Sequence, residues 1–356
     1  MLKVLSRKEI DKRDVKRILI RSTNWVGDAV MTLPSLDAVR ANFPESDITV
    51  LAKPWVEPVF KDHPSVDRVM TFNKGGGAFT GLGEMIRMVR LIRRTGFDLA
   101  ILFQNAFEAA LLAYLGGVRF RLGYNTDGRG LLLTHQVIRN DEVLRLHQVE
   151  YYLSMLGAVG WEAKTAEPSL FVSQKERKRA NDLLDSVGID KKSFLVGLGP
   201  GAIFGGAKRW PPDRFSVIGD RAVEEWGAEV LVFGADREAK ICNRVCDSMS
   251  QRSFNLCGNT SLSEAICMIS RCGFFVTNDS GLMHVASALG VPTVAIFGPT
   301  DPVATGPRGA KSLIVRHEIE CAPCLRPECP DDHRCMSGIN AEEVWAAMES
   351  LRRDVG

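Results

Sequence analysis

The chain has 356 residues, too many for one ordinary core, so its length favours two domains. With 45 basic residues against 43 acidic ones there is no overall positive field, which argues against a protein that coats nucleic acid. Hydrophobic residues at 45% suffice for buried sheets, yet no apolar run reaches the roughly 18 residues of a membrane-spanning helix.

The opening stretch MLKVLSRKEIDKRDV mixes both charges and lacks the apolar centre of a signal peptide, so a cytosolic chain is expected. A first strand, RILI (17–20), runs into RSTNWVGDAVMTLPSL and a helical pattern. This is where nucleotide folds place phosphate loops, but the glycine triplet and the Gly-Lys-Ser signature are both missing. What stands there is Asp28 beside Gly27. Further strands are predicted at 48–53, 66–72 and 99–104. Between the last two, GEMIRMVRLIRRTG sets Arg87, Arg90 and Arg94 at helical spacing, either a solvated face or a basic rim for an anionic acceptor or membrane surface. The segments FQNAF and VRFRLGY read as loops on the acceptor side.

Around 168–179 the pattern changes: SQKERKRANDLL is a polar entry into a helix, and strand–helix alternation restarts at Phe194. Strands are predicted at 194–199, 229–234, 273–278 and 292–298. Most of these runs are continuously apolar, as expected of parallel strands covered on both faces by helices. The fold class is therefore α/β, with two doubly wound, Rossmann-like domains: 1–170, and 171–356 with the last helix a candidate to pack back on the first domain. Ligands of such sheets bind outside the carboxyl ends of the strands.

Chemistry concentrates in the second half. In PGAIFGGAKRWP, Lys208 is either a cation for a diphosphate or a solvated surface lysine. In FGADREAK, Glu238 is placed to accept from a ribose diol, or is simply a first-turn carboxylate favoured by the helix dipole. In NDSGLMH, Asp279, Ser280 and Gly281 stand where a strand meets a helix N-terminus, a ready anion site. His284, one turn on, can face the same ligand or pack internally. The nine cysteines fit reduced thiols better than a disulfide framework. Near the end, Cys321, Cys324, Cys329 and Cys335 with His317 and His333 are either free thiols in a folded loop or, less in keeping with their tight spacing, zinc ligands.

Taken in order, RSTNWVGDAVMTLPSL, FQNAFEAALLAYLGGVRFRLGY, PGAIFGGAKRWP, NDSGLMHVASALGVPTVAIFGPTDP and CAPC…HRCM resemble the ADP-heptose:lipopolysaccharide heptosyltransferases, glycosyltransferase family 9, from about Arg17 onward. The Asn24-Trp25 pair and the cysteine cluster resemble the branch that adds the second heptose. The resemblance implies a GT-B fold, two facing Rossmann-like domains, and inverting transfer from ADP-heptose to a lipid A-core acceptor at the inner membrane surface. It implies Asp28 as general base, Lys208 at the donor diphosphate, and Asp279, Ser280, Gly281 and His284 around the phosphates and adjacent sugar. Glu238 matches the residue near the ribose, and Thr260, in GNTSLSEA, lies where the family lines the adenine pocket. No cofactor or metal is expected for the chemical step, there being no Asp-x-Asp pair, and no partner beyond donor and acceptor is implied. The expected location is cytoplasmic, peripheral to the inner face of the inner membrane. Rival readings are another heptosyltransferase of the family, a nucleotide-sugar epimerase of similar architecture, and a nucleotide-sugar sensor without catalysis.

Overall fold

The computed structural model describes residues 2–6, 8–74 and 78–355, which divide into two compact units, Met1–Pro168 and Ser169–Gly356. The first unit holds a seven-stranded sheet. Its strands are β1 (Val4–Ser6), β2 (Arg17–Arg21), β3 (Asp47–Ala52), β4 (Arg68–Thr71), β5 (Leu99–Leu102), β6 (Phe120–Tyr124) and β7 (His135–Val137). Their order is β1-β7-β6-β5-β2-β3-β4, and every pairing is parallel except β1 on β7. From β2 the chain winds out through β3 and β4. It then returns to the other side of β2 through β5, which makes the β2/β5 junction the switch point of this sheet.

The second unit holds a six-stranded parallel sheet in the order β10-β9-β8-β11-β12-β13. These strands are β8 (Leu195–Gly199), β9 (Glu229–Val232), β10 (Ser253–Asn255), β11 (Phe274–Asn278), β12 (Thr293–Phe297) and β13 (Ser312–Arg316). Its switch point lies between β8 and β11. The expected α/β class with parallel sheets is present, and the eight strands foreseen are all found. One reading is corrected. VRFRLGY is not a loop: Phe120–Tyr124 is a strand, with Phe120, Leu122, Gly123 and Tyr124 buried. The segment before Arg17, outside the resemblance, supplies β1, which pairs Val4 with Val137 and Ser6 with His135.

Local chemistry sets the crossovers. The helix Gln174–Ser186 starts on Ser173, whose hydroxyl accepts from the Glu176 backbone N–H. Ser261 and Glu264 form a reciprocal capping box at the head of Leu262–Ile269. Pro212–Trp226 ends on Gly227 at φ +62°, the left-handed position glycine adopts freely. The last helix, Ala341–Val355, packs on β12, β13 and Pro212–Trp226. Its Trp345 is 2% exposed and lies 4.7 Å from the Trp226 ring, with the Arg221 guanidinium 4.5 Å from its own ring centre.

The Trp345 indole N–H is buried and has no acceptor. Replacing Trp345 by Ala should cost the second unit about 3–5 kcal/mol from the cavity. Replacing it by Phe should cost far less, because an unsatisfied donor leaves with the ring. Denaturant melts of the two variants check the difference.

Candidate active site

In the first unit, Asp28 lies three residues beyond Trp25, the N-cap of the short helix Val26–Met31, and so sits in its first turn at the carboxyl end of β2. The carboxylate is half-buried. It lies close to Tyr152, whose hydroxyl is pushed well above its ordinary pKa by burial first and by the Asp28 charge second. Trp25 makes no capping hydrogen bond through its side chain, and the residue is 59% exposed.

Beside this, the loop after β5 is held rigid by a residue that composition and spacing do not reveal. Arg129 is fully buried. Its guanidinium donates to the carbonyls of Gln104 and Tyr124 and, over 2.9 Å, to Asn105 Oδ1. Burial lowers its pKa to about 10. Asn105 in turn donates to the Tyr151 hydroxyl at 2.9 Å. FQNAF is therefore a fixed strand-end loop at the β2/β5 switch point.

The second unit gathers its candidates at the carboxyl ends of β8, β9 and β11. Asn278, the last residue of β11, spans the switch point: its Nδ2 donates to the Pro200 carbonyl at 2.7 Å and its Oδ1 accepts from Trp210 N at 3.0 Å. Next to it, Asp279 is 5% exposed and accepts from Lys208 Nζ at 2.5 Å and from the Thr300 hydroxyl at 2.6 Å. Lys208 is thus not a solvated surface lysine. Its side chain is 13% exposed, and its ammonium also lies 4.8 Å from the Phe204 ring centre. Ser280 is the N-cap of Gly281–Ala288 but bonds no helix N–H through its side chain; its hydroxyl shares a hydrogen bond with Thr277 at 3.2 Å. The first-turn N–H groups of this helix begin at Gly281, and His284 is buried one turn in.

Glu238 is buried at the end of the 3₁₀ turn Asp236–Glu238, where its Oε2 accepts from the Ala235 N–H at 2.8 Å. Its other oxygen faces the loop after β8: a Cβ added to Gly201 would stand 2.2 Å from Oε1, so a larger residue there would displace the carboxylate. Thr260 donates to the Leu256 carbonyl at 3.2 Å in the loop after β10. That loop approaches the Asp236 turn through Gly258, whose N–H donates to the Gly234 carbonyl at 3.1 Å. Lys208, Glu238, Asp279, Ser280 and Gly281 therefore share one strand-end region, with Thr260 on its β9/β10 flank.

The cysteine-rich stretch serves this region as a clamp. Its Pro327 carbonyl accepts from Ala207 N at 3.0 Å, and Glu328 Oε1 accepts from Gly206 N at 3.1 Å. The His333 ring bonds the Ala207 carbonyl through Nε2 at 2.6 Å, which fixes the tautomer with the proton on Nε2. Gly205 runs so close that a Cβ there would lie 2.0 Å from the Pro327 carbonyl oxygen. The turn carrying Lys208 is pinned at Gly206 and on both sides of the Ala207 residue. All nine cysteines are free thiols, and among the described residues no group of three or more His, Cys, Asp or Glu side chains could hold a metal ion. Burial pushes the Cys335 thiol up to about 11, with Cys321, Cys329 and Cys324 adding to it.

Arg87 is also settled: it is held to Glu84 by two 2.6 Å bonds. On the helix Ala78–Thr95 the exposed residues Leu82, Ile86 and Leu91 stand among Arg87, Arg90, Arg93 and Arg94.

Comparison with known proteins bears on what these sites do. Residues 85–334 match Glycosyltransferase family 9 (heptosyltransferase). Lipopolysaccharide heptosyltransferase 2 of Escherichia coli K12 is 31% identical over 312 residues, 84% of this chain and 88% of the relative. The protein of the same name from Salmonella typhimurium is 31% identical over 357 residues, 96% of this chain and 99% of that one. The solved structure of E. coli ADP-heptose lps heptosyltransferase II superposes with a TM-score of 0.82 at 27% identity, covering 96% of this chain and all of that one.

Breaking a buried ion pair strands the survivor. Asp279→Ala should therefore lower the stability of the second unit by about 3–5 kcal/mol, and adding Lys208→Met should recover most of the loss. Chemical denaturation of the two single variants and the double variant measures this.

Proposed function

The chain belongs to glycosyltransferase family 9, the heptosyltransferases, and on that premise we propose how its residues divide the work. It is a glycosyltransferase, and it transfers heptose from ADP-heptose to the inner core of lipopolysaccharide, adding the second heptose. The epimerase and sensor readings give way to this membership.

The acceptor hydroxyl oxygen attacks the anomeric carbon of the donor heptose. The bond from that carbon to the diphosphate oxygen breaks, ADP departs with the electron pair, and Asp28 takes the hydroxyl proton. Inversion follows from attack opposite the leaving group. Negative charge builds on the diphosphate, where Lys208 and the free N–H groups of Gly281–Ala288 stabilise it. Ser280, Gly281 and His284 hold the phosphates and adjacent sugar, Glu238 takes the ribose through the oxygen facing Gly201, and Thr260 lines the adenine pocket. Asp279 has a different task from the one its motif implies. A carboxylate bound to Lys208 and Thr300 would repel a diphosphate, so it serves to hold the lysine.

The observation that carries this division is the Lys208–Asp279–Thr300 cluster at the β8/β11 switch point, beside a helix N-terminus. One countervailing effect acts on Asp28: in a first helical turn the dipole weakens it as a base.

The acceptor is lipid-linked, and no helix among the described residues is long and apolar enough to cross a membrane. Peripheral contact with the inner face of the inner membrane falls to the exposed face of Ala78–Thr95, where leucine and isoleucine alternate with arginine.

Asp28→Ala should lower kcat by about 10²–10⁴-fold while ADP-heptose binding stays within about twofold, read by product mass spectrometry and calorimetry. Transfer at the wild-type rate would reduce Asp28 to a structural residue. Arg90→Glu with Arg94→Glu should weaken sedimentation with anionic liposomes and spare transfer to a water-soluble acceptor fragment. Unchanged sedimentation would remove this helix from the membrane contact.

A further inference from the structure

At the carboxyl edge of the first sheet stands a group of cations to which the transfer mechanism gives no role. Arg21 ends β2, Lys53 follows β3 and Lys74 follows β4. Arg21 is 1% exposed. Its Nη1 donates to the Ser22 and Leu51 carbonyls at 2.8 and 3.2 Å, and its Nη2 to Asn24 Oδ1 at 3.1 Å. Its Nε is buried and finds no acceptor. Lys53 is half-buried, with its ammonium 4.9 Å from the Phe72 ring centre and 5.9 Å from that of Trp55. Lys74 reaches Glu108 at 2.9 Å.

These groups lie within electrostatic reach of one another. Burial lowers the Lys53 pKa, the Arg21 charge lowers it again, Glu108 opposes, and Lys74 adds to the lowering. Three cations thus share the single carboxylate of Glu108. Gathering like charges in half-buried space costs stability, and an unsatisfied guanidinium donor costs more. An arriving anion would relieve the crowding of like charge. The location suits a sugar as well. Trp55, 51% exposed and fixed by its indole N–H on the Asn24 carbonyl at 2.9 Å, presents a flat apolar face beside Lys53. Asp28 lies on the chain that leaves β2 directly after Arg21.

We propose that Arg21, Lys53 and Lys74 form a subsite for an acidic group, a carboxylate or a phosphate, on the acceptor sugar. This rests on the transfer reading above and deepens it: the subsite holds the acceptor's charge so that the neighbouring hydroxyl meets Asp28. Arg21 is the buried charge behind the subsite, Lys53 the half-buried cation against its aromatic wall, and Lys74 a cation that Glu108 holds until the anion arrives.

The test uses the full-length protein, with Lys53→Met and Lys74→Gln as variants and melting temperature as the check on folding. Calorimetry without donor measures binding of a sugar-acid glycoside against its methyl ester, and of a sugar phosphate against the free sugar. Wild type should bind at least one acidic probe about tenfold or more tightly than its neutral counterpart, and each variant should lose about tenfold on that probe alone. The pair that shows the difference tells carboxylate from phosphate. In the transfer assay the variants should raise KM for the acceptor by a similar factor and leave the donor KM unchanged. Folded variants that bind acidic and neutral probes as wild type does would overturn the subsite. Binding that follows the expected pattern in a protein that transfers nothing would leave the subsite standing and overturn the transfer reading.

Discussion

The second unit's site depends on one buried carboxylate and the two groups that hold it. Asp279, 5% exposed, accepts from Lys208 and Thr300 at the same oxygen. Each partner comes from a different strand-end: Lys208 from the loop after β8, Thr300 from the loop after β12. Asn278 ties down both ends of the loop after β8, its side chain bonding the backbone of Pro200 and of Trp210. Two adjacent residues at one strand end, Asn278 and Asp279, therefore fix the geometry of two distant loops. The helix N-terminus and the lysine are left pointing at one region of space, ready for an anion without reorganisation.

The two units solve different problems with the same topology. In each, the chain winds outward from a central strand and then returns to its other side, leaving a gap at the carboxyl edge. At β8/β11 that gap is lined by a helix N-terminus, a held lysine and a buried glutamate. At β2/β5 it is lined by an aspartate in a short helix and a loop locked by the buried Arg129. The β2/β5 gap lacks the glycine fingerprint of a dinucleotide fold. The clamp formed by Pro327, Glu328 and His333 adds that the loop bearing Lys208 is shaped by sequence more than a hundred residues downstream.

Strands with continuous apolar runs were legible because both of their faces are buried, and residues such as Val276 and Ile296 have no polar alternative. The strands that escaped are of two kinds. Val4–Ser6, His135–Val137 and Ser253–Asn255 are only three residues long and Ser312–Arg316 is half-covered, so their pattern carries little signal. Phe120–Tyr124 contains Arg121, whose guanidinium bonds the Leu132 and Val118 carbonyls and so sits in a strand without facing solvent. The loop motif NDSGLMH exposed its residues to sequence reasoning, but not their division of labour. Asp279 and a phosphate-binding aspartate look identical until Thr300 is seen beside it. Arg129 was invisible for a similar reason: an arginine after a turn reads as surface, and only the three acceptors around it make it internal.

The antiparallel addition of Val4–Ser6 to β7 has a bearing on how the chain behaves in crowded solution. A parallel sheet whose outermost strand lay bare would offer unpaired amides to any passing extended segment. Here that row is occupied by the protein's own leading residues, with the Ile138 amide also taken by the Lys3 carbonyl. The outermost strand on this side is thereby one of only three residues, which offers less to an extended segment than a bare β7 would.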